Sequence, residues 1–102
     1  LGLASGETGL LTEPPAARDA LLLPDVTQAV GRIPFAFAWS GADMAVLSAH
    51  KLGGPKGAGA LVLRDGLDVE PLLRGGGQER GRRSGTENVA AVAGFAAALA
   101  AA

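Results

Sequence analysis

Lys51 carries the most chemistry for its position. It lies in Ser48-Ala49-His50-Lys51, directly after an apolar run and directly before the glycine-rich stretch Gly53-Gly54-Pro55-Lys56-Gly57. An amine attacks a carbonyl to form an imine only in its unprotonated form, and partial desolvation at the end of a buried strand favours that form. With a hydroxyl and an imidazole beside it, Lys51 is expected to do imine chemistry. The glycine-rich stretch lacks the Gly-x-x-x-x-Gly-Lys-Ser/Thr spacing of a nucleotide-binding loop, which excludes nucleotide hydrolysis. Its expected role is to let the backbone pass close to Lys51. Asp25 is the second chemical residue, at the C-terminal mouth of another short apolar run.

These residues need a scaffold that collects strand ends. Residues 20–23, 44–47 and 59–64 read as short apolar strands without polar alternation, which favours an α/β sheet, mostly parallel and covered on both faces. In open sheets of this kind ligands sit at the carboxyl ends of the strands, where Asp25 and Ser48 to Lys51 fall. Ser5-Gly6-Glu7-Thr8-Gly9 reads as a turn, and a short helix is expected at about 15–18. Residues 29–31 form a turn or short helical piece, and 33–38 are irregular or an edge. Glycines and arginines dominate 74–86, so that stretch must be a loop. Ser84-Gly85-Thr86-Glu87 has capping-box spacing. It leads into a helix over 88–102 with Val89, Val92, Phe95, Ala96 and Leu99 on one face. Gly94 weakens that helix and is expected there for close packing.

Composition narrows the function classes. The chain has 102 residues, 48% of them hydrophobic, and a net charge of -1. This is enough for one small domain with a core, and it offers no electrostatic case for nucleic acid or an anionic membrane. With no cysteine, disulfides and thiolate nucleophiles are excluded within these residues, and with a single histidine a zinc site is not expected. No signal-peptide pattern opens the chain, and the apolar C-terminal run is shorter than a membrane span. A soluble, cytoplasmic protein is expected. Both ends look cut, so residues 1–102 are expected to be a fragment of a longer polypeptide.

The motifs together resemble a known family. The run from Ala42 to Gly59, Ala-Asp-Met-Ala-Val-Leu-Ser-Ala-His-Lys-Leu-Gly-Gly-Pro-Lys-Gly-Ala-Gly, resembles the lysine-attachment signature of class V aminotransferase-type pyridoxal phosphate enzymes. Gly75-Gly76-Gly77-Gln78-Glu79-Arg80-Gly81-Arg82-Arg83-Ser84-Gly85-Thr86-Glu87-Asn88 and Asp25-Val26-Thr27-Gln28-Ala29-Val30-Gly31-Arg32 resemble its cysteine desulfurase branch. The resemblance implies a piece of the fold type I large domain, with its N-terminal part and the C-terminal small domain absent. It implies pyridoxal phosphate held by Lys51 as an internal aldimine, with Lys51 then moving protons on the substrate carbon. Asp25 is implied to pair with the pyridinium nitrogen, which keeps the ring an electron sink. Gln28, one helical turn on, is implied to donate to the phenolic oxygen. Ser48 and His50 are implied to bind the phosphate, side by side through the period-two spacing of an extended segment. Thr86 resembles a threonine that reaches the phosphate of the neighbouring subunit, which implies a homodimer.

The parent reaction implied is conversion of L-cysteine to L-alanine, with sulfur passed to a thiol and on to an acceptor protein for iron–sulfur cluster or thio-cofactor assembly. A selenocysteine lyase, a related aminotransferase and a non-catalytic fragment are the alternatives. The chain departs from the family in one turn, where Ser5 and Gly6 replace two asparagines of Asn-Asn-Glu-Thr-Gly. It also lacks the sulfur-accepting cysteine, the ring-stacking histidine and the substrate-carboxylate arginine. These 102 residues alone are expected to turn over no L-cysteine.

Overall fold

The computed structural model of the chain describes residues 1–13 and 19–102. The short helix expected at about 15–18 lies outside the described residues. Strand β1, Met44–Ser48, pairs antiparallel with β2, Gly59–Leu63, with Met44 opposite Leu63 and Ser48 opposite Gly59. Both are short runs of branched or small apolar residues that fit a pleated surface. On the other side of β1, residues 22–26 run parallel to it. Val46 N–H donates to Pro24 O at 3.1 Å, and Val26 N–H donates to Val46 O at 2.9 Å. Residues 1–3 continue the layer in parallel, through Asp25 N–H to Leu1 O at 2.7 Å and Leu3 N–H to Asp25 O at 3.0 Å.

The layer therefore reads 1–3, 22–26, β1, β2 with the last segment reversed, and residues 11–12 also run antiparallel beside 3–4 through the Ala4–Leu11 bridge. This is the expected α/β arrangement, mostly parallel. The run at 20–23 is less regular than expected, and pairing through 22–26 is limited to one bridge on either side of Asp25. Coverage of both faces is not supplied by this chain. Leu22 and Pro24 are buried, but Leu21 and Leu23 between and beside them are exposed, as is Leu61 in β2. The core is small, centred on Val26, Ala29 and Ala45, with Leu3, Phe35, Leu47 and Val62 packed against it.

Asp43, one residue before β1, is the only buried charged group among the described residues. Its Oδ2 accepts the Leu22 N–H at 2.6 Å, and its Oδ1 pairs with the Arg64 guanidinium at 2.8 Å. Its own backbone closes the same corner, because Arg64 N–H donates to Asp43 O at 3.0 Å. One carboxylate thus ties the entry of β1 to the neighbouring parallel segment and to the exit of β2. From sequence it reads only as the residue preceding a strand.

Helix α1, Val89–Ala101, departs from expectation in its cap and its face. Asn88 caps it, its side-chain oxygen accepting the Ala91 N–H at 3.2 Å, whereas the Ser84–Glu87 capping box does not form. Ser84 instead turns its backbone N–H to Leu73 O at 3.0 Å. Among the residues of the expected face only Phe95 is buried, and Ala91 joins it, while Val89, Val92 and Leu99 are exposed. The reason is steric. Eight of the thirteen helix residues are alanine, and the helix docks on the side of Ala91, Gly94 and Phe95, where a Cβ on Gly94 would lie 3.0 Å from Pro55 Cδ. Gly94 does permit the close packing expected of it.

Removing the Asp43 carboxylate strands the buried Leu22 N–H and an arginine partner. Asp43→Ala is expected to lower unfolding free energy by about 2–4 kcal/mol. Asp43→Asn, which keeps an acceptor, is expected to cost roughly 1 kcal/mol. Urea unfolding of the two variants checks the order, and equal losses would contradict it.

Candidate active site at the carboxyl edge of the sheet

Parallel pairing sends three segments out of the layer at the same end, and the turns that follow carry the predicted residues. Residues 1–3 lead into the turn at Ser5 to Gly9, closed by Gly9 N–H to Ser5 O at 3.0 Å. Residues 22–26 lead into a turn closed by Ala29 and Val30 N–H groups on Val26 O, at 2.9 and 3.0 Å. Strand β1 leads into a 3-10 turn, Ala49–Lys51. β2 begins at this end, because Gly59 lies opposite Ser48. A Cβ on Gly59 would come within 2.9 Å of Leu47 O, so only glycine lets the returning strand pass here.

Ser48 and His50 meet as expected, with Oγ and Nδ1 2.8 Å apart. The expected cause, an extended segment of period two, is not the observed one. Ser48 ends the strand, and the chain then coils tightly, with Leu52 and Gly54 N–H groups both on Ala49 O at 3.0 Å. The pair offers an outward donor in either tautomer. If the serine donates to Nδ1, the ring carries its proton on Nε2. If Nδ1–H donates to the serine, the hydroxyl proton is free. Such a pair suits an anion.

Asp25 is exposed, and its Oδ1 accepts the Thr27 N–H at 2.9 Å. Its other oxygen has no partner among the described residues. Asp25 stands in the bridge to Val46 rather than in a helical turn, so the helical relation to Gln28 begins one residue later than expected. The Gln28 amide lies over Gly6, where an added Cβ would be only 2.7 Å from Nε2. The turn that lacks the family's asparagines is thus filled from the neighbouring segment.

Lys51 is exposed, so the desolvation expected at a strand end is not provided by this chain. It lines an open cleft of about 280 Å³ with Gly31, Arg32, Leu52 and the end of α1, and none of Asp25, Gln28, Ser48 or His50 lines that cleft. Sequence reasoning missed Arg32. Its guanidinium donates to Lys51 O at 2.9 Å and to Thr27 O at 3.5 Å. The only available signal was its position at the end of the 25–32 motif.

Thr86 is exposed, and among the described residues no hydrogen bond ties its side chain to this edge. The preceding loop is ordered by its own charges. Arg74 pairs with Glu70, Arg82 with Asp68 at 2.6 Å, and Arg83 with Glu79 at 4.0 Å. Arg83 also donates to Gly85 O at 2.8 Å. Glu79 and Arg80 take left-handed backbone conformations, with φ of 50° and 57°. Side-chain pairing of three of the four arginines leaves Arg80 as the unpaired one among the described residues.

A protein-family model described as Aminotransferase class-V matches residues 8–102. Cysteine desulfurase of Rhodobacter capsulatus is 57% identical over 79 residues, which is 78% of this chain and 21% of that protein. Cysteine desulfurase of Frankia sp. (strain EuIK1) is 52% identical over 103 residues, 93% of this chain and 25% of that protein. Among solved structures, a NifS-like protein from Rickettsia africae superposes with a TM-score of 0.89 at 37% identity, over 98% of this chain and 29% of its own. DndA from Streptomyces lividans gives 0.81 at 36% identity, over 98% and 31%. The chain belongs to the aminotransferase class-V family, and its α/β layer is that of the fold type I pyridoxal phosphate enzymes. Both of these curated relatives are cysteine desulfurases, and the chain spans about a quarter of their length or less. Pyridoxal phosphate is the cofactor of the family.

Asp68 carries a testable charge in the loop. The Arg82 hydrogen bond first, then the Val69 N–H and the Arg82 charge, hold its carboxyl below the ordinary value of 3.8. A depressed carboxyl contributes while ionised and loses that contribution as pH falls through its lowered value. The tie between 68 and 82 is therefore present at neutral pH and lost only in acid below 3.8. Carbon-13 NMR titration is expected to place Asp68 below that value and Arg82→Ala to raise it. An unmoved titration would contradict the pairing.

Proposed function

We propose that residues 1–102 are the cofactor-gripping part of the large domain of a pyridoxal phosphate-dependent cysteine desulfurase. The observation that carries this reading is the carboxyl edge. There a carboxylate oxygen of Asp25, an outward donor of the Ser48–His50 pair, the Gln28 amide and the Lys51 amine come out of adjacent segments with no hydrogen-bond partner among the described residues. That donor set fits the cofactor's chemistry. Asp25 would hold the ring nitrogen, Ser48 and His50 would hold the phosphate, Gln28 would face the phenolic oxygen, and Lys51 would hold the aldehyde.

Bound pyridoxal phosphate supplies the electron sink that makes the substrate's carbon–sulfur bond breakable. Asp25 keeps a proton on the ring nitrogen, and the Lys51 amine moves protons at the substrate carbon. The balance is L-cysteine plus a thiol giving L-alanine plus a persulfide. The thiol comes from outside these residues, which contain no cysteine. A sulfur-acceptor protein, a homodimer in which Thr86 serves the neighbouring subunit's phosphate site, and a cytoplasmic location belong to the same proposal.

Borohydride treatment of the cofactor-loaded full-length protein, followed by peptide mass spectrometry, tests the reading at Lys51. The reduced cofactor is expected on Lys51 and absent from Lys56, the other lysine of the segment. Label on Lys56, or none on either, would overturn the assignment. In the same protein Asp25→Asn is expected to reduce alanine release about 100-fold, since it removes a charge that acts on the reacting ring. Unchanged turnover would remove Asp25 from the site.

A further inference from the structure

We infer that Arg32 is a positioning residue that fixes the span between the amine of Lys51 and the acid of Asp25. The inference rests on the cofactor site proposed above. The two groups come from different segments, each followed by its own turn, and the backbone pairing of the layer ends before either turn is complete. Among the described residues, the side-chain hydrogen bonds between the turns beyond the layer come from Arg32. Arg32 NH2 donates to the carbonyl of Lys51 itself at 2.9 Å, and NH1 reaches the carbonyl of Thr27 at 3.5 Å. Thr27 is the residue whose N–H holds Asp25 Oδ1 at 2.9 Å.

A second observation places the turns in contact at the same point. Gly31 has a φ of 76°, and a Cβ on it would lie 3.0 Å from Leu52 Cδ2. The turn after 22–26 therefore presses against the residue that follows Lys51, and only a residue without a side chain fits. The adjoining guanidinium then locks the contact. A planar fork with fixed donors suits two carbonyls on separate turns, and a single ammonium does not span both. The Arg32 side chain is exposed and is not part of the small core, so its expected influence is on the geometry of the edge rather than on folding.

Two forms of the cofactor separate the amine's reach from the rest of the grip. Pyridoxal phosphate engages Lys51 through its aldehyde. Pyridoxamine phosphate uses the ring and phosphate contacts but cannot bond to the amine. In the full-length apo protein, Arg32→Met is expected to raise the Kd for pyridoxal phosphate about 10-fold, the order of effect of a small misplacement of reacting groups. The Kd for pyridoxamine phosphate is expected to stay within about two-fold, and the thermal unfolding of the apo protein to stay unchanged. Arg32→Gln, which also lacks the fork, is measured alongside.

Equal weakening of both ligands in a folded variant overturns the inference, as does weakening of neither. Failure of both variants to fold makes Arg32 a folding residue and also overturns it. If the unsubstituted protein binds neither ligand, or takes no label on Lys51, the proposed site itself fails, a result distinct from all of these.

Discussion

Val46 is held on one side by two backbone hydrogen bonds, and they decide where the chemistry goes. It donates to Pro24 O and accepts from Val26, which sets Asp25 directly opposite it on the neighbouring parallel segment. Side chains and turns downstream inherit that alignment. Asp25 and Gln28 leave on one segment, Ser48, His50 and Lys51 on the other, and both leave at the same end. Asp43 secures the opposite end by binding the Leu22 N–H and Arg64 together. A slip of the pairing by one residue reverses every side chain across the pleat, so the register and the site are one constraint.

Much of this was legible in the sequence because it rests on local chemistry. The two strands that form the antiparallel ladder are short apolar runs with clear stops, and they appear nearly where expected. Glycines marked close approaches at Gly54 and Gly94, where an added Cβ would touch the Ala49 carbonyl at 3.0 Å and the Pro55 ring. That Asp25 and the Ser48 to Lys51 segment leave the layer at one edge followed from a general rule about strand ends. The resemblance to cysteine desulfurases was carried by motifs spread over nearly the whole chain.

The misreadings share a different physical origin. Helical periodicity located α1 but not its buried face, because in a run of alanines the docking side is chosen by shape and not by hydropathy. The cap went to Asn88 because its side chain reaches the free N–H of Ala91, whereas the Ser84 N–H is occupied by Leu73 O. Asp43 and Arg32 were missed because both act on backbone groups distant in sequence, and no local pattern records such partners. The exposure of Lys51 and of Leu21, Leu23 and Leu61 is likewise a property of packing. These residues meet solvent in a chain that spans about a quarter or less of the relatives it matches.

The loop at 74–86 illustrates how a polar stretch becomes a defined element. Three of its four arginines are engaged by Glu70, Asp68 and Glu79, and several of its glycines take positive φ angles. The most direct measurement of the whole account is a crystal structure of the full-length protein with pyridoxal phosphate bound. It is predicted to show one ring spanning the two turns, joined to Lys51 at the aldehyde carbon, with the Asp25 carboxylate on the ring nitrogen and Ser48 and His50 on the phosphate. A cofactor bound through another lysine, or a ring nitrogen facing away from Asp25, would contradict it.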